Sequence, residues 1–264
     1  MKRLLTLFAA LLFSAPLLAD AHGLVGESIV YHDGEVELHG YLAYDPSLAG
    51  ERPAVLVVHE WWGHNEHARE QARRLARLGY TALAVDMFGD GRQADHPNEA
   101  GAFAGQVRRN RDLMMSRFNA ALDWLHARDD IDAARIAAIG YCFGGSVVLE
   151  MARAGAELLG VASFHGALAT DHPAQAGTTT ARVLVLHGAE DPLVPQEQVL
   201  AFIDEMEGAG IDYRLIAYPG ATHSFTNPAA DQLAERFDMP VGYHAEADAA
   251  SWEELERFLE ALFQ

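Results

Sequence analysis

A cysteine, an acid and a histidine are spaced in this chain so that they could do covalent chemistry together, and their local settings say why. The only cysteine, Cys142, sits in ARIAAIGYCFGGSVVLEMA. There an apolar strand is expected to run into Gly140 and a helix to begin near Gly145, giving the spacing G-x-C-x-G with a second glycine after it. A tight strand-to-helix turn forces its central residue into an uncommon backbone conformation, and small neighbours let strand and helix approach closely. The thiol is thereby held at the end of a sheet beside a helix N-terminus, whose positive pole favours thiolate. A lone cysteine is commonly inert core filler. Filler has no use for a strained turn flanked by glycines, so Cys142 is read as a nucleophile.

A nucleophile needs a base, and the base an orienting acid. RVLVLHGAEDPLVP places Asp191 just past an apolar strand and before a proline-marked turn, with Glu190 as a neighbouring competitor. YPGATHSF places His223 in the loop after the last strand. Parallel sheets gather their sites at the C-terminal ends of their strands, and the order nucleophile, acid, histidine suits such a sheet.

The elements that must position these residues are readable as well. GESIVYHDGEVELHGYLAYDP alternates apolar and polar residues around Asp33-Gly34, which predicts an opening antiparallel hairpin. Six apolar strands follow, at 54–59, 81–87, 134–140, 158–166, 182–188 and 213–220. Each is too apolar for an exposed edge, so most must be covered on both faces. Helical patterns separate them: HNEHAREQARRLARLG, one long stretch from Ala100 to Asp130, PQEQVLAFIDEMEGAG, and a closing SWEELERFLEALF. Alternation of strands and helices predicts an α/β fold: a mostly parallel central sheet with helices on both faces and an N-terminal antiparallel hairpin.

Half of the 264 residues are hydrophobic, enough for one domain over residues 22–264 with a continuous core. MKRLLTLFAALLFSAPLLADAHG reads as a secretory signal peptide over residues 1–21, with a basic start, an apolar run broken by Ser14 and Pro16, and small residues for cleavage. Export, to the periplasm or beyond, is the expected localisation. The formal net charge is −19, and removing residues 1–21, with Lys2 and Arg3 against Asp20, leaves about −20. Such a surface repels phosphate backbones and anionic lipid, so neither nucleic acid nor membrane is an expected partner of the mature chain. One cysteine cannot form an internal disulfide. The oligomeric state is left open, with a monomer as the default.

With these residues in place, the chain resembles the dienelactone hydrolase family of α/β-hydrolases from about residue 26 to the last helix. G-Y-C-F-G-G, H-G-x-x-D-P-x-V-P and G-x-T-H-S-F are similar to that family's nucleophile, acid and histidine segments, and VVHEWWGHN to a fourth that carries a glutamate, here Glu60. The resemblance implies hydrolysis of small esters or lactones, such as the carboxymethylenebutenolidase reaction, by a Cys-His-Asp triad through a covalent acyl-enzyme, without cofactor or metal. It also implies that Glu60 contacts the resting thiol and moves when substrate binds, and that the N–H groups of Trp61 and Phe143 form an oxyanion hole. Where lactone-degrading members carry an arginine in H-S-F-x-R, this chain has Asn227, after Ser224 and Thr226. A bidentate arginine is not replaced by asparagine at an anion. Arg92 is a candidate for a second cationic contact of the family, and Trp61 and Trp62 for an apolar or aromatic acyl pocket.

Two alternatives stay open on the sequence, and a third is set aside. A carboxylesterase or thioesterase of broad specificity would use the same triad, and an exported binding protein could keep the fold without turnover. His59, Glu60, His64 and His67 fall within nine residues, but H-E-x-x-H is absent because the fifth position is Gly63, so no metal site is expected.

Overall fold

The computed structural model describes residues 23–264, and the expected signal peptide lies outside them. Eight strands form one sheet in the order β1-β2-β4-β3-β5-β6-β7-β8. β1 (Val25–Asp33) and β2 (Val36–Tyr44) are the expected hairpin, with Asp33 paired to Val36 across a two-residue turn. β2 also pairs antiparallel with β4 (Thr81–Val85). From β4 onward every neighbouring pair is parallel, through β3 (Arg52–Val58), β5 (Ile131–Tyr141), β6 (Gly160–Phe164), β7 (Arg182–Gly188) and β8 (Tyr213–Tyr218).

The central strands have no polar face because both faces are covered. Leu56, Val58 and Ala138 join one core, together with Ala104 and Val107 of α2 (Pro97–Arg108), Phe118 and Leu122 of α3 (Arg111–His126), Val147 of α4 (Phe143–Arg153) and Phe202 of α5 (Gln196–Ala209). Val55, Val57 and Ile139 join the other, against Ala72 and Leu75 of α1 (Glu66–Arg77) and Trp252, Leu255 and Leu259 of α7 (Ala245–Phe263). Side chains alternate along a strand, so successive residues of β3 feed opposite layers. No described helix is long and apolar enough to cross a membrane.

The architecture matches the expectation from sequence, and several boundaries differ for local reasons. The helical stretch from Ala100 to Asp130 is two helices, because the Asn110 side chain accepts from Leu113 N at 3.1 Å and caps a new start. β4 stops at Val85 rather than running to residue 87, since Asp86 takes the N–H groups of Phe88, Gly89 and Gly91 at 2.9, 2.8 and 2.8 Å. A carboxylate that gathers successive amides folds the chain into a loop. α7 begins at Ala245, six residues before Ser251, because the His244 ring accepts from Ala247 N and acidic residues fill its first turn. The short α6 (Ala230–Phe237) was not expected at all.

Candidate active site

The turn that carries Cys142 is built by close approach. β5 ends at Tyr141, Cys142 takes φ 52°, and α4 begins at Phe143, two residues earlier than expected. A Cβ on Gly140 would stand 2.1 Å from the Gly144 carbonyl oxygen, and one on Gly144 would stand 2.2 Å from the Val58 carbonyl oxygen. Both obstacles are backbone, so no larger residue fits the turn. A positive φ at a non-glycine residue costs on the order of 1–3 kcal/mol and persists only where the surroundings over-determine it. Here Cys142 N donates to Phe164 O at 3.0 Å and to His165 Nδ1 at 3.1 Å.

The loops after β7 and β8 bring the other two residues to the sulfur. His223 Nε2 lies 3.0 Å from Cys142 Sγ, and His223 Nδ1 lies 2.8 Å from Asp191 Oδ2. Asp191 Oδ1 accepts from Leu193 N at 2.8 Å, so both carboxylate oxygens are engaged. Glu190 is exposed and takes no part. Burial works to lower the His223 pKa, but the Cys142 sulfur and the hydrogen bonds to Asp191 and Cys142 outweigh it, and the value is pushed up to about 10. The ring is thus poised as an imidazolium beside the sulfur. Cys142 retains 8 % exposure, enough to face the cavity described below.

Glu60 departs from the expectation attached to it. Its carboxylate is not on the thiol: Oε1 accepts from Ser224 Oγ at 3.1 Å and Oε2 from Asn227 Nδ2 at 2.5 Å. Two neutral donors occupy both oxygens of this buried carboxyl group, and the sulfur is left to the histidine. Ser224 and Asn227, candidates for substrate contact from their place beside the histidine segment, are turned to Glu60 by the same bonds. Asn227, 4 % exposed, is spent on Glu60 and does not line the cavity, while Ser224 lines it but turns its hydroxyl to Glu60.

A cavity of about 300 Å³ opens over Cys142 and His223, walled by Trp61, Trp62, Leu193, Leu233 and Met239. Both tryptophans therefore face the sulfur's cavity. Its roof is a small apolar cluster of its own, in which Trp61 and Trp62 pack with Leu233, Phe237 and Met239 from α6 and the segment after it. The cation on its wall is Arg108, at the end of α2, with its guanidinium 5.4 Å from the Phe143 ring centre. Arg92 does not reach the cavity: it donates to the carbonyls of Phe88 and Gly89 and lies over the Phe103 ring. Asp86 curls that loop, and the curl turns the Arg92 side chain back on its own backbone. The N–H groups of Trp61 and Phe143 carry no hydrogen bond among the described residues. Phe143 N is free because it starts a helix.

The histidine cluster near Glu60 does not converge. The His59 ring donates from Nδ1 to Glu60 O at 2.5 Å and accepts from Met87 N at Nε2, tying β3 to the loop after β4. The His67 ring meets Tyr141 edge-on at 5.3 Å. Among the described residues no three His, Cys, Asp or Glu side chains are grouped to hold a metal. Sequence reasoning also passed over His165, Thr226 and Arg108. The histidine closing the strand in ASFHG was the available signal for the first of these.

A mostly parallel sheet with a strained turn at Cys142 after β5, and with Asp191 and His223 in loops after later strands, is the architecture of an α/β-hydrolase. The comparisons narrow this further. The dienelactone hydrolase family matches residues 38–263. A Methylorubrum extorquens protein named "putative carboxymethylenebutenolidase" is 31 % identical over 90 % of this chain and 81 % of its own. Two solved structures each cover 91 % of this chain and 99 % of their own. One is a dienelactone hydrolase-like promiscuous phosphotriesterase from metagenomic libraries, 37 % identical with a TM-score of 0.84; the other, called m3DLH, is 41 % identical with a TM-score of 0.86. The chain belongs to the dienelactone hydrolase family.

Proposed function

We propose that this protein hydrolyses small carboxylic esters or lactones through a covalent thioester on Cys142. One observation carries the reading: a hydrogen-bonded chain from Sγ through His223 to Asp191, with steps of 3.0 and 2.8 Å, opens onto an apolar cavity. The sulfur, as thiolate paired with imidazolium, attacks the ester carbonyl, and the carbonyl oxygen takes the negative charge. The free N–H groups of Trp61 and Phe143 receive that charge. The C–O bond breaks as His223 gives its Nε2 proton to the departing alkoxide, leaving the acyl group on sulfur. Water then attacks, losing a proton to His223, and the C–S bond breaks to release the acid. Asp191 keeps the ring oriented throughout. Glu60 stays bound to Ser224 and Asn227 at the edge of the site.

The test is interception of that thioester. Acid quench during turnover of a p-nitrophenyl ester should leave one acyl group per chain, mapped by mass spectrometry to Cys142. Acyl groups mapped to another residue, or none during steady turnover, would refute the covalent route.

The wall favours apolar acyl or aryl groups, with Arg108 as the partner for an anion on the substrate. Arg108→Gln should raise KM for a carboxylate-bearing aryl ester about fivefold at low salt, roughly 1 kcal/mol for a partly exposed charge pair. KM for the neutral analogue should stay put. Equal effects on both esters would remove Arg108 from substrate recognition.

A further inference from the structure

His165 is buried and ionisable, 1 % exposed, and the reaction above makes no use of it. Its backbone sits at φ 40°, directly after β6. Nδ1 accepts the Cys142 N–H at 3.1 Å, which leaves the ring proton on Nε2, 2.8 Å from Thr226 Oγ1. The Nε2–H therefore donates to the Thr226 hydroxyl. Burial, and the neighbouring His223 and His67 rings, hold the His165 pKa well below the ordinary value, so this tautomer persists across the working range. Thr226 is itself 1 % exposed and lies three residues beyond His223. The ring also meets His223 and Phe225 edge-on, with centres 5.3 and 5.2 Å away. The result is a buried link from the nucleophile's backbone, through one imidazole, to the loop that carries the catalytic base.

This link is redundant at first and needed later. In the free enzyme His223 is fixed from two sides, by Cys142 Sγ and by Asp191. Once the sulfur is acylated it no longer forms that ion pair, and only Asp191 and the loop's own anchoring hold the ring over the thioester. We propose that His165 and Thr226 form a positioning strut that keeps His223 aligned for deacylation, the step in which it takes a proton from water as the C–O bond forms and the C–S bond breaks. The proposal rests on Cys142 being the nucleophile.

Thr226→Val keeps the shape and removes the acceptor, stranding a buried N–H. With a p-nitrophenyl ester, kcat should fall about tenfold, the scale of one unsatisfied buried donor. KM should fall in proportion, leaving kcat/KM unchanged, because kcat/KM reports steps up to acylation. The burst of nitrophenol should keep its full amplitude, and Thr226→Ser should restore kcat. A merely structural loss would lower kcat and kcat/KM together and shrink the burst. That result, or unchanged kinetics in Thr226→Val, overturns the strut. Thr226→Ala, which removes the hydroxyl without added bulk, carries the same test if valine disturbs folding. If wild type shows no burst and Cys142→Ala keeps its activity, the nucleophile assignment has failed instead.

Discussion

Cys142→Ala is expected to lower kcat on an activated aryl ester by about 10⁴-fold or more, the scale seen when a covalent nucleophile is removed from an acyl-transfer enzyme. The geometry explains why little should remain. His223 and Asp191 stay in place, but the atom 3.0 Å from Nε2 is gone, and among the described residues no other nucleophilic side chain is hydrogen-bonded to that ring. A water activated by His223 would attack without the positional advantage of a tethered sulfur. The histidine should change as well. The sulfur is one of the groups that raise its pKa, so without Cys142 burial gains ground and the value drops from about 10. Titration of the His223 ring by NMR in the two proteins would show this. Retention of more than about 1 % of wild-type kcat in Cys142→Ala would defeat the proposed mechanism.

The second large effect concerns the fold itself. His59, His64 and His165 are between 0 and 2 % exposed, and burial is the first cause lowering the pKa of each, with His64 pushed down to about 3. In the unfolded chain each takes up a proton near pH 6.5. The native state does not, so the unfolded state binds more protons and stability falls as pH falls through the ordinary histidine range. Each ring that stays neutral costs stability on the order of 1 kcal/mol per pH unit below its ordinary pKa, a large loss against a total of about 5–15 kcal/mol. His223 has the opposite sign. Its raised pKa supplies stability that is fully present below about pH 6.5 and lost only as pH rises through about 10, so it cannot soften the acid loss. Urea midpoints measured from pH 7 to pH 4.5 at fixed ionic strength should drop steeply. A flat profile would mean that these rings are protonated in the native state.

Much of the site was legible because local chemistry announced it. Gly140 and Gly144 flank Cys142 because backbone passes within about van der Waals contact of each, and a sequence records such crowding as glycine. Asp191 and His223 were found through the turns that follow β7 and β8. The strands could be read because burial on both faces removes polar residues from them. Where sequence reasoning fell short, a side chain's direction decided the outcome. The resemblance points to Arg92 as a cation and nothing in the sequence points to Arg108, yet Arg92 is folded back onto Gly89 and Arg108 reaches the cavity. Asn227 reads as a missing arginine, and the structure turns it to Glu60. The break at Asn110 was hidden because apolar periodicity continues across it. α6 was hidden because Leu233 and Phe237 pack on Trp61 and Trp62 instead of the sheet.

That last arrangement bears on how such an enzyme could diversify. Trp61 touches one of the two layers that keep the sheet folded, but Leu233, Phe237 and Met239 of the roof belong to neither. Exchanging Leu233 or Met239 for larger or smaller residues therefore changes which acyl groups gain admission while the main core is left undisturbed. New preferences can be sampled one residue at a time on a scaffold whose integrity is secured elsewhere.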